Sequence, residues 1–200
     1  MAIKNDDKVE QILNSARELL AAHGIKNTTM EHIAAKAGVA KPLLYRYIGN
    51  KDDIVASVIE EEINQLKRSI QDGLNEEKNP IGKMAKMWSN ALDYYQRDSF
   101  LMLLLKGNEL PLPPYMYEKY ITEIEKFVVD LIENTIQEGI AMGVFVECDS
   151  KIAAYMGYKL YQAGTYGKTE ILEGFTPKQI MKRTIQILGK GILKHEQNNS

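Results

Sequence analysis

The chain has 200 residues, of which 44% are hydrophobic and 26% are charged. This is enough apolar sequence for one or two compact domains and too little for a large multidomain assembly. A balance of 25 Lys and Arg against 27 Asp and Glu gives a net charge of −2, which argues against disorder and, for the chain as a whole, against general polyanion binding. A single cysteine, Cys148, and three histidines exclude an intrachain disulfide and a Cys/His metal framework.

Targeting and membrane signals are weak throughout the sequence. The N-terminal residues contain no apolar signal core, and the longest strongly apolar run, residues 100–105, is far shorter than a membrane span. The sequence therefore predicts a soluble, cytoplasmic protein.

Apolar residues recur at helical spacing along nearly the whole chain, without the alternation typical of strands. The first such pattern starts near Val9 and is expected to end at His23–Gly24, since glycine favours a helix C-cap. A short second helix is predicted over residues 30–37. Thr28, which has Glu31 at capping-box spacing, and Thr29 are alternative N-caps of this helix.

A glycine turn separates the second predicted helix from the third. Gly38 is expected to break the chain direction there, because glycine readily adopts the positive φ of a sharp turn. The third helix is predicted to begin near Pro42, which suits a first helical turn, and to end at Gly49–Asn50. A fourth, longer helix is predicted over residues 52–74.

Five further helices are predicted after the polar segment 75–80. They cover residues 81–95, 99–106, 115–142, 150–164 and 177–193. In the last of these, the residues expected to face inward are Ile180, Thr184, Ile187, Leu188 and Ile192. The predicted fold class is all-α.

Residues 28–47 have the spacing of a helix-turn-helix, in which the second helix enters the major groove of DNA. Residues 23–51 carry five basic residues and one acid, Glu31, so their net charge is +4 and the rest of the chain carries −6. This segregation of charge is what phosphate binding requires. The N-terminal segment is therefore predicted to bind double-stranded DNA.

The run of residues 28–54 resembles the DNA-binding region of TetR-family transcriptional regulators. The matching positions are Thr28, Thr29, Ile33, Ala34, Ala37, Gly38, Val39, Leu44, Tyr45, Tyr47, Lys51 and Ile54. The resemblance implies a three-helix DNA-binding domain over residues 1–51, followed by a helical effector-binding and dimerisation domain over residues 52–200.

The resemblance also implies two kinds of DNA contact. Phosphate contacts are implied for Thr29, Tyr45, Tyr47 and Lys51, and base-edge or groove contacts for Lys41, Pro42 and Leu43. Thr28 and Arg46 complete the candidate DNA-binding residues. Both have a second interpretation, since Thr28 can act purely as a cap and Arg46 can form a salt bridge.

Three positions depart from the family pattern, and one of them, Ile48 in place of the usual Phe, is a core change of little functional weight. Ala40 stands where the family usually has Ser or Thr, so a hydroxyl that could cap the third helix or touch phosphate is absent. Leu43 is apolar where a polar side chain is common, which makes a thymine methyl group its expected target. These departures concern the operator sequence rather than DNA binding itself.

The second predicted domain is rich in Met and Tyr, which can form either an ordinary helical core or an adaptable apolar pocket. The resemblance favours a pocket for a small, largely hydrophobic effector. The residues predicted to line it are Trp88, Tyr94, Phe100, Met102, Tyr117, Tyr120, Tyr158 and Tyr161.

The last two predicted helices carry apolar stripes with small residues. These are Ala153, Ala154, Gly157, Ala163, Gly189 and Gly191. In TetR-like proteins the corresponding helices form a homodimer interface, and paired half-sites in a palindromic operator favour a dimer here as well. The function that follows is a ligand-responsive repressor that an effector releases from its operator.

Two other classes of function compete with this one. An enzyme is not expected, because no Glu-x-x-His pair, Gly-rich phosphate loop or Gly-x-Ser-x-Gly motif is present; no metal and no cofactor are expected either. A helical small-molecule-binding protein without DNA-binding activity remains the alternative, and Ala40 is the feature that keeps it open.

Overall fold

The computed structural model describes residues 3–95, 97, 99–105, 112, 114–165 and 172–192. Over these residues the chain forms nine α-helices and no strand, which confirms the all-α prediction. In chain order the helices are α1 (Ile3–Asn27), α2 (Met30–Lys36), α3 (Lys41–Tyr47), α4 (Lys51–Asn75), α5 (Pro80–Tyr95), α6 (Phe100–Leu105), α7 (Pro114–Ala141), α8 (Ser150–Thr165) and α9 (Pro177–Ile192). The predicted helices all form, with ends that shift by one or a few residues; Lys106 and Leu193 lie outside the described residues.

The end of α1 agrees with the prediction at Gly24, where the helix is interrupted, but a further helical turn follows it. Gly24 leaves helical geometry, with φ of 71° and ψ of 174°, but helix α1 extends beyond this kink to Asn27. Thr28 stabilises the kink, because its hydroxyl donates to the carbonyl oxygens of Gly24 at 2.8 Å and Leu19 at 3.2 Å. A carbonyl that a helix break would leave unpaired therefore gains a partner.

The chain divides by its internal contacts into two compact units. The first comprises residues 1–65 and 97–121, and the second comprises residues 66–96 and 122–200. Helices α1, α2 and α3 all lie in the first unit, where α6 also packs against α1. The predicted division into a DNA-binding domain of residues 1–51 and an effector-binding and dimerisation domain of residues 52–200 stays a prediction.

The core of the first unit includes residues from each of α1 to α4. Its buried side chains recur three or four positions apart, which is the spacing of one helix face. Among them are Ile12, Ala16, Leu20, Ile33, Leu44, Ile54 and Val58. This shared core fixes the position of the two short helices, which are too short to be stable alone.

In the second unit, α8 packs against α9. The two helices approach closely at Gly164, where an added Cβ would lie 2.6 Å from Cγ2 of Ile180. The sequence pattern gave no sign of this close approach at Gly164. Ile187 was predicted to lie on the inward face of α9, which is wrong for this chain, because Ile187 is 72% exposed.

No helix in the described part of the chain is both long enough and apolar enough to cross a membrane.

Candidate nucleic-acid interface

The helix-turn-helix is built from α2, a turn at Ala37–Gly38 and α3. The turn is closed by backbone hydrogen bonds from Gly38 N to Ala35 O at 3.2 Å and from Val39 N to Ala34 O at 3.0 Å. Gly38 has φ of 63°, the left-handed value for which glycine was expected at this position. Ala34 is buried and small, as close approach of the two helices requires.

The two threonines before α2 have different roles. Thr29 is the N-cap, since its hydroxyl oxygen accepts a hydrogen bond from the backbone N–H of His32 at 3.2 Å. Thr28 is fully buried and its hydroxyl donates to the end of α1. This settles the alternative that the sequence left open. It also corrects the inclusion of Thr28 among DNA-binding residues, because its side chain faces the protein interior.

Helix α3 buries one side and exposes the other. Leu44 is fully buried, whereas Lys41, Pro42, Tyr45 and Arg46 are exposed. Leu43 and Tyr47, the other two candidate residues on this helix, are partly exposed. The exposed side of α3 therefore presents most of the predicted contact residues together on one short helix.

The start of α3 lacks a side-chain cap. Ala40 occupies the N-cap position in an extended conformation and makes no capping hydrogen bond. The first N–H groups of a helix need partners from outside the helix. The loss that the sequence indicated at Ala40 is therefore present in the structure.

Lys51, the remaining candidate, is the first residue of α4. The Asn50 side chain caps this helix by accepting hydrogen bonds from the N–H groups of Asp52 at 2.7 Å and Asp53 at 3.1 Å. Asp53 in turn accepts from the Asn50 N–H at 2.8 Å, which completes a reciprocal capping box. The backbone that carries Lys51 is thus held on both sides of the residue.

Charge pairing on this surface was not evident from the sequence. Lys41 forms an ion pair with Glu31 of α2, and its ammonium group lies 5.9 Å from the ring centroid of Tyr45. The hydrogen bond between the two charged groups lowers the pKa of Glu31 and raises the pKa of Lys41. The pair joins residues ten positions apart on two helices, a separation at which no sequence rule predicts contact.

The other cations of this segment fall into two groups. Lys36 pairs with Glu18 of α1 at 2.8 Å. Within the described part of the chain, Lys26, Arg46 and Lys51 make no ion pair, although the Arg46 guanidinium lies 5.4 Å from the Tyr47 ring centroid. The alternative of a salt bridge for Arg46 thus has no partner among the residues described.

The predicted effector residues are distributed over both units. In the second unit Trp88, Tyr94, Tyr158 and Tyr161 are all buried, and the rings of Trp88 and Tyr161 have centroids 5.2 Å apart. The Gln162 amide donates to the Tyr158 hydroxyl at 2.9 Å. Trp88 and Tyr161 therefore form a buried aromatic pair, and Tyr94 and Tyr158 are buried in the same unit.

In the first unit Phe100, Met102 and Tyr120 are also buried, but Tyr117 is not. Tyr117 follows Met116, and the buried residues Met116 and Tyr120 are four positions apart on α7. Tyr117 therefore lies about 100° around the helix from its buried face. Its inclusion among the pocket-lining residues is not supported by its exposure.

Candidate metal ligands do not cluster in the described residues: no group of three or more His, Cys, Asp or Glu side chains is arranged to hold an ion there.

The segment that contains the helix-turn-helix matches a known protein family. Residues 12–58 match the family described as bacterial regulatory proteins, tetR family. This N-terminal segment is that of a TetR-family regulator. The matched segment contains α2, α3 and the start of α4, so the match coincides with the helix-turn-helix described above.

One curated relative is the fatty acid metabolism regulator protein of Bacillus subtilis. It is 28% identical over 150 residues, which cover 74% of this chain and 77% of the relative. A second relative, an uncharacterised HTH-type transcriptional regulator of the same organism, is 22% identical over 157 residues, 78% of this chain and 82% of that one. The chain is therefore similar to transcriptional regulators over most of its length.

Solved structures confirm the fold. The transcriptional regulator FadR from Bacillus subtilis, in complex with stearoyl-CoA, aligns with a TM-score of 0.71 and 23% identity, covering 91% of this chain and 98% of that one. The complex of SmeT, a repressor of a Stenotrophomonas maltophilia multidrug efflux pump, with triclosan aligns with a TM-score of 0.71 and 17% identity, covering 94% and 92%. The TetR-like helical arrangement thus extends beyond the DNA-binding segment.

Proposed function

We propose that this TetR-family regulator is a homodimeric repressor that binds a palindromic operator and is released by a small, largely hydrophobic effector. The observation that carries the proposal is the exposed side of α3, where Lys41, Tyr45 and Arg46 project from a helix anchored by Leu44. A short, basic, exposed helix that follows a tight glycine turn fits the major groove.

DNA binding itself is testable by gel shift with the DNA upstream of the gene, supplemented by selection of binding duplexes from a random-sequence pool. We expect one enriched palindromic sequence and a steep dependence of affinity on salt. Absence of any enriched duplex, with the protein folded, would overturn the proposal and favour the alternative of a small-molecule-binding protein without DNA-binding activity.

The assigned lysines are distinguishable by their effects. Lys41→Gln should relax the base preference of the selected operator, because this residue is proposed to contact base edges. Lys51→Gln should weaken binding to all duplexes alike and reduce the slope of log affinity against log salt by about one. Lys178→Gln, which removes an exposed positive charge from α9, is the control and should leave the slope unchanged.

A homodimer is supported by the exposed face of α8. Four large apolar side chains that recur three or four positions apart are exposed there: Ile152, Tyr155, Met156 and Leu160. Ile187 adds a fifth on α9. An exposed apolar helix face of this kind is typical of a protein–protein interface, and a second copy of the chain would bury the same face by two-fold symmetry.

An effector site is supported by the buried aromatic pair of Trp88 and Tyr161 in the second unit. Trp88 is the only tryptophan in the chain, so intrinsic fluorescence reports directly on this pair. The relatives supply two probes, stearoyl-CoA and triclosan. We expect at least one hydrophobic compound to change Trp88 emission and to dissociate the operator complex over the same concentration range.

Release from DNA requires that the effector bind the two conformations of the dimer with different affinities, since a ligand that binds both equally shifts nothing. A compound that changes Trp88 emission but leaves operator affinity unchanged would contradict the assignment of that compound as the effector. Repression is testable with a reporter under the selected operator, whose expression should rise when this protein is deleted.

A further inference from the structure

The ion pair between Glu31 and Lys41 places a carboxylate on the surface proposed to face DNA. Glu31 projects from α2 and Lys41 from the first turn of α3, and both side chains are substantially exposed, at 62% and 43%. An exposed ion pair contributes little to folding stability. An acid beside the phosphate backbone also opposes DNA binding. The first turn of α2 favours an acid at Glu31, but this does not account for its pairing with Lys41.

The position of the Lys41 ammonium group is restrained from two sides. Glu31 accepts a hydrogen bond from it, and the Tyr45 ring, one turn along α3, lies 5.9 Å from it. A free lysine side chain samples many rotamers and binds phosphate as a mobile point charge. Lys41 is instead held in one place at the start of the recognition helix.

We infer that Glu31 is a specificity-determining positioning residue, which withholds the Lys41 ammonium group from phosphates and orients it for base-edge contact. This inference rests on the proposed operator binding. Non-specific affinity depends on how many phosphates the protein neutralises, whereas base contacts discriminate among sequences. Glu31 thus lowers affinity for all DNA while it raises the ratio of operator to non-operator affinity.

The test compares wild-type protein with Glu31→Gln on two duplexes, the one selected by the wild type and a scrambled version of it. The variant keeps the size of the side chain but removes the negative charge, so the ion pair with the Lys41 ammonium group is lost. Freed Lys41 should neutralise one more phosphate, so the salt slope on scrambled DNA should steepen by about 0.9 and affinity at about 0.1 M salt should rise about eightfold. Affinity for the selected duplex should rise less, so the specificity ratio falls.

A matched control exists in the same unit. Glu18 pairs with Lys36 at 2.8 Å, and these side chains are 68% and 40% exposed. Glu18→Gln removes the same charge from a similar ion pair that does not involve α3. It should leave the specificity ratio unchanged. An equal fall in the ratio for both variants would mean that only the net charge matters, which would overturn the inference.

The route through Lys41 is tested in a Lys41→Gln background. There, Glu31→Gln should leave the salt slope and the specificity ratio unchanged, because the group that Glu31 positions is absent. An undiminished effect would show direct repulsion between Glu31 and phosphate and would overturn the positioning role. Urea denaturation should give closely similar stabilities for all variants, so that the affinities compare folded proteins.

Failure of the proposed function gives a different result from failure of this inference. If wild-type protein selects no duplex, operator binding is wrong and the inference is overturned with it. If the wild type selects an operator and Glu31→Gln changes neither the slope nor the ratio, operator binding stands and the inference alone is overturned.

Discussion

The carboxylate of Glu62 in α4 accepts a hydrogen bond from the backbone N–H of Leu101 in α6 at 2.6 Å. Glu62 is only 1% exposed, and Nε of Arg17 in α1 lies 3.6 Å from its other oxygen. Arg17 also pairs with Glu61 at 2.5 Å. A buried carboxylate therefore links the first turn of α6 to α4 and α1 within the first unit.

Burial raises the pKa of Glu62 above its ordinary value of 4.5, against the opposing effects of the Leu101 N–H and Arg17. An acid with a raised pKa in the folded state stabilises the fold below its unfolded pKa and loses that contribution as pH rises through the folded pKa. Glu62→Gln cannot ionise. Its free energy of unfolding should therefore rise relative to wild type as the pH increases from about 4.5, the ordinary pKa of a glutamate, to about 7.5.

Urea denaturation at the two pH values measures this difference. Glu61→Gln is the control, because Glu61 is partly exposed and also pairs with Arg17. A stability difference between Glu62→Gln and wild type that does not change with pH would contradict the pKa direction given for Glu62.

Thr28→Val should destabilise the protein without altering its DNA contacts. Valine matches the shape of threonine but leaves the carbonyl oxygens of Leu19 and Gly24 without the buried hydroxyl donor. We expect a loss of about 1–3 kcal/mol in the free energy of unfolding and an unchanged salt slope on DNA. A reduced slope in the folded variant would mean that Thr28 does contact phosphate.

Ala40→Ser should stabilise the protein. Ala40 already has the extended conformation of an N-cap but offers no side-chain acceptor. A serine hydroxyl oxygen there can accept from the N–H of Leu43, which now donates to the Ala40 carbonyl at 2.9 Å. The expected gain is about 1 kcal/mol, measured by urea denaturation. Ala35→Ser, on an exposed position within α2, is the matched control and should give no gain.

Met156→Glu should convert the proposed dimer to a monomer, because it places a charge in the middle of the exposed apolar face of α8. Sedimentation velocity should show about half the wild-type mass, together with weaker operator binding. Ile81→Glu is the control: Ile81 is 48% exposed on α5, close to the 56% of Met156. A wild-type chain that sediments as a monomer would contradict the dimer directly.

Local sequence features predicted the elements of this fold well. Gly38 required a positive φ, Pro42 suited a first helical turn and Leu44 fell on the inward side of α3, and all three have these roles. Such features depend on backbone sterics and helical periodicity, which act over a few neighbouring residues. For the same reason the spacing of the helix-turn-helix could be read without any tertiary information.

The sequence by itself therefore determined the helical class, the glycine turn and the set of side chains on α3. Only the tertiary structure decided which threonine caps α2, that Tyr117 is exposed, and that Glu31 holds Lys41. These outcomes depend on which helix faces which, and residues ten or more positions apart meet only when separate helices pack. A charge or hydroxyl in a sequence has many potential partners, and packing selects one of them.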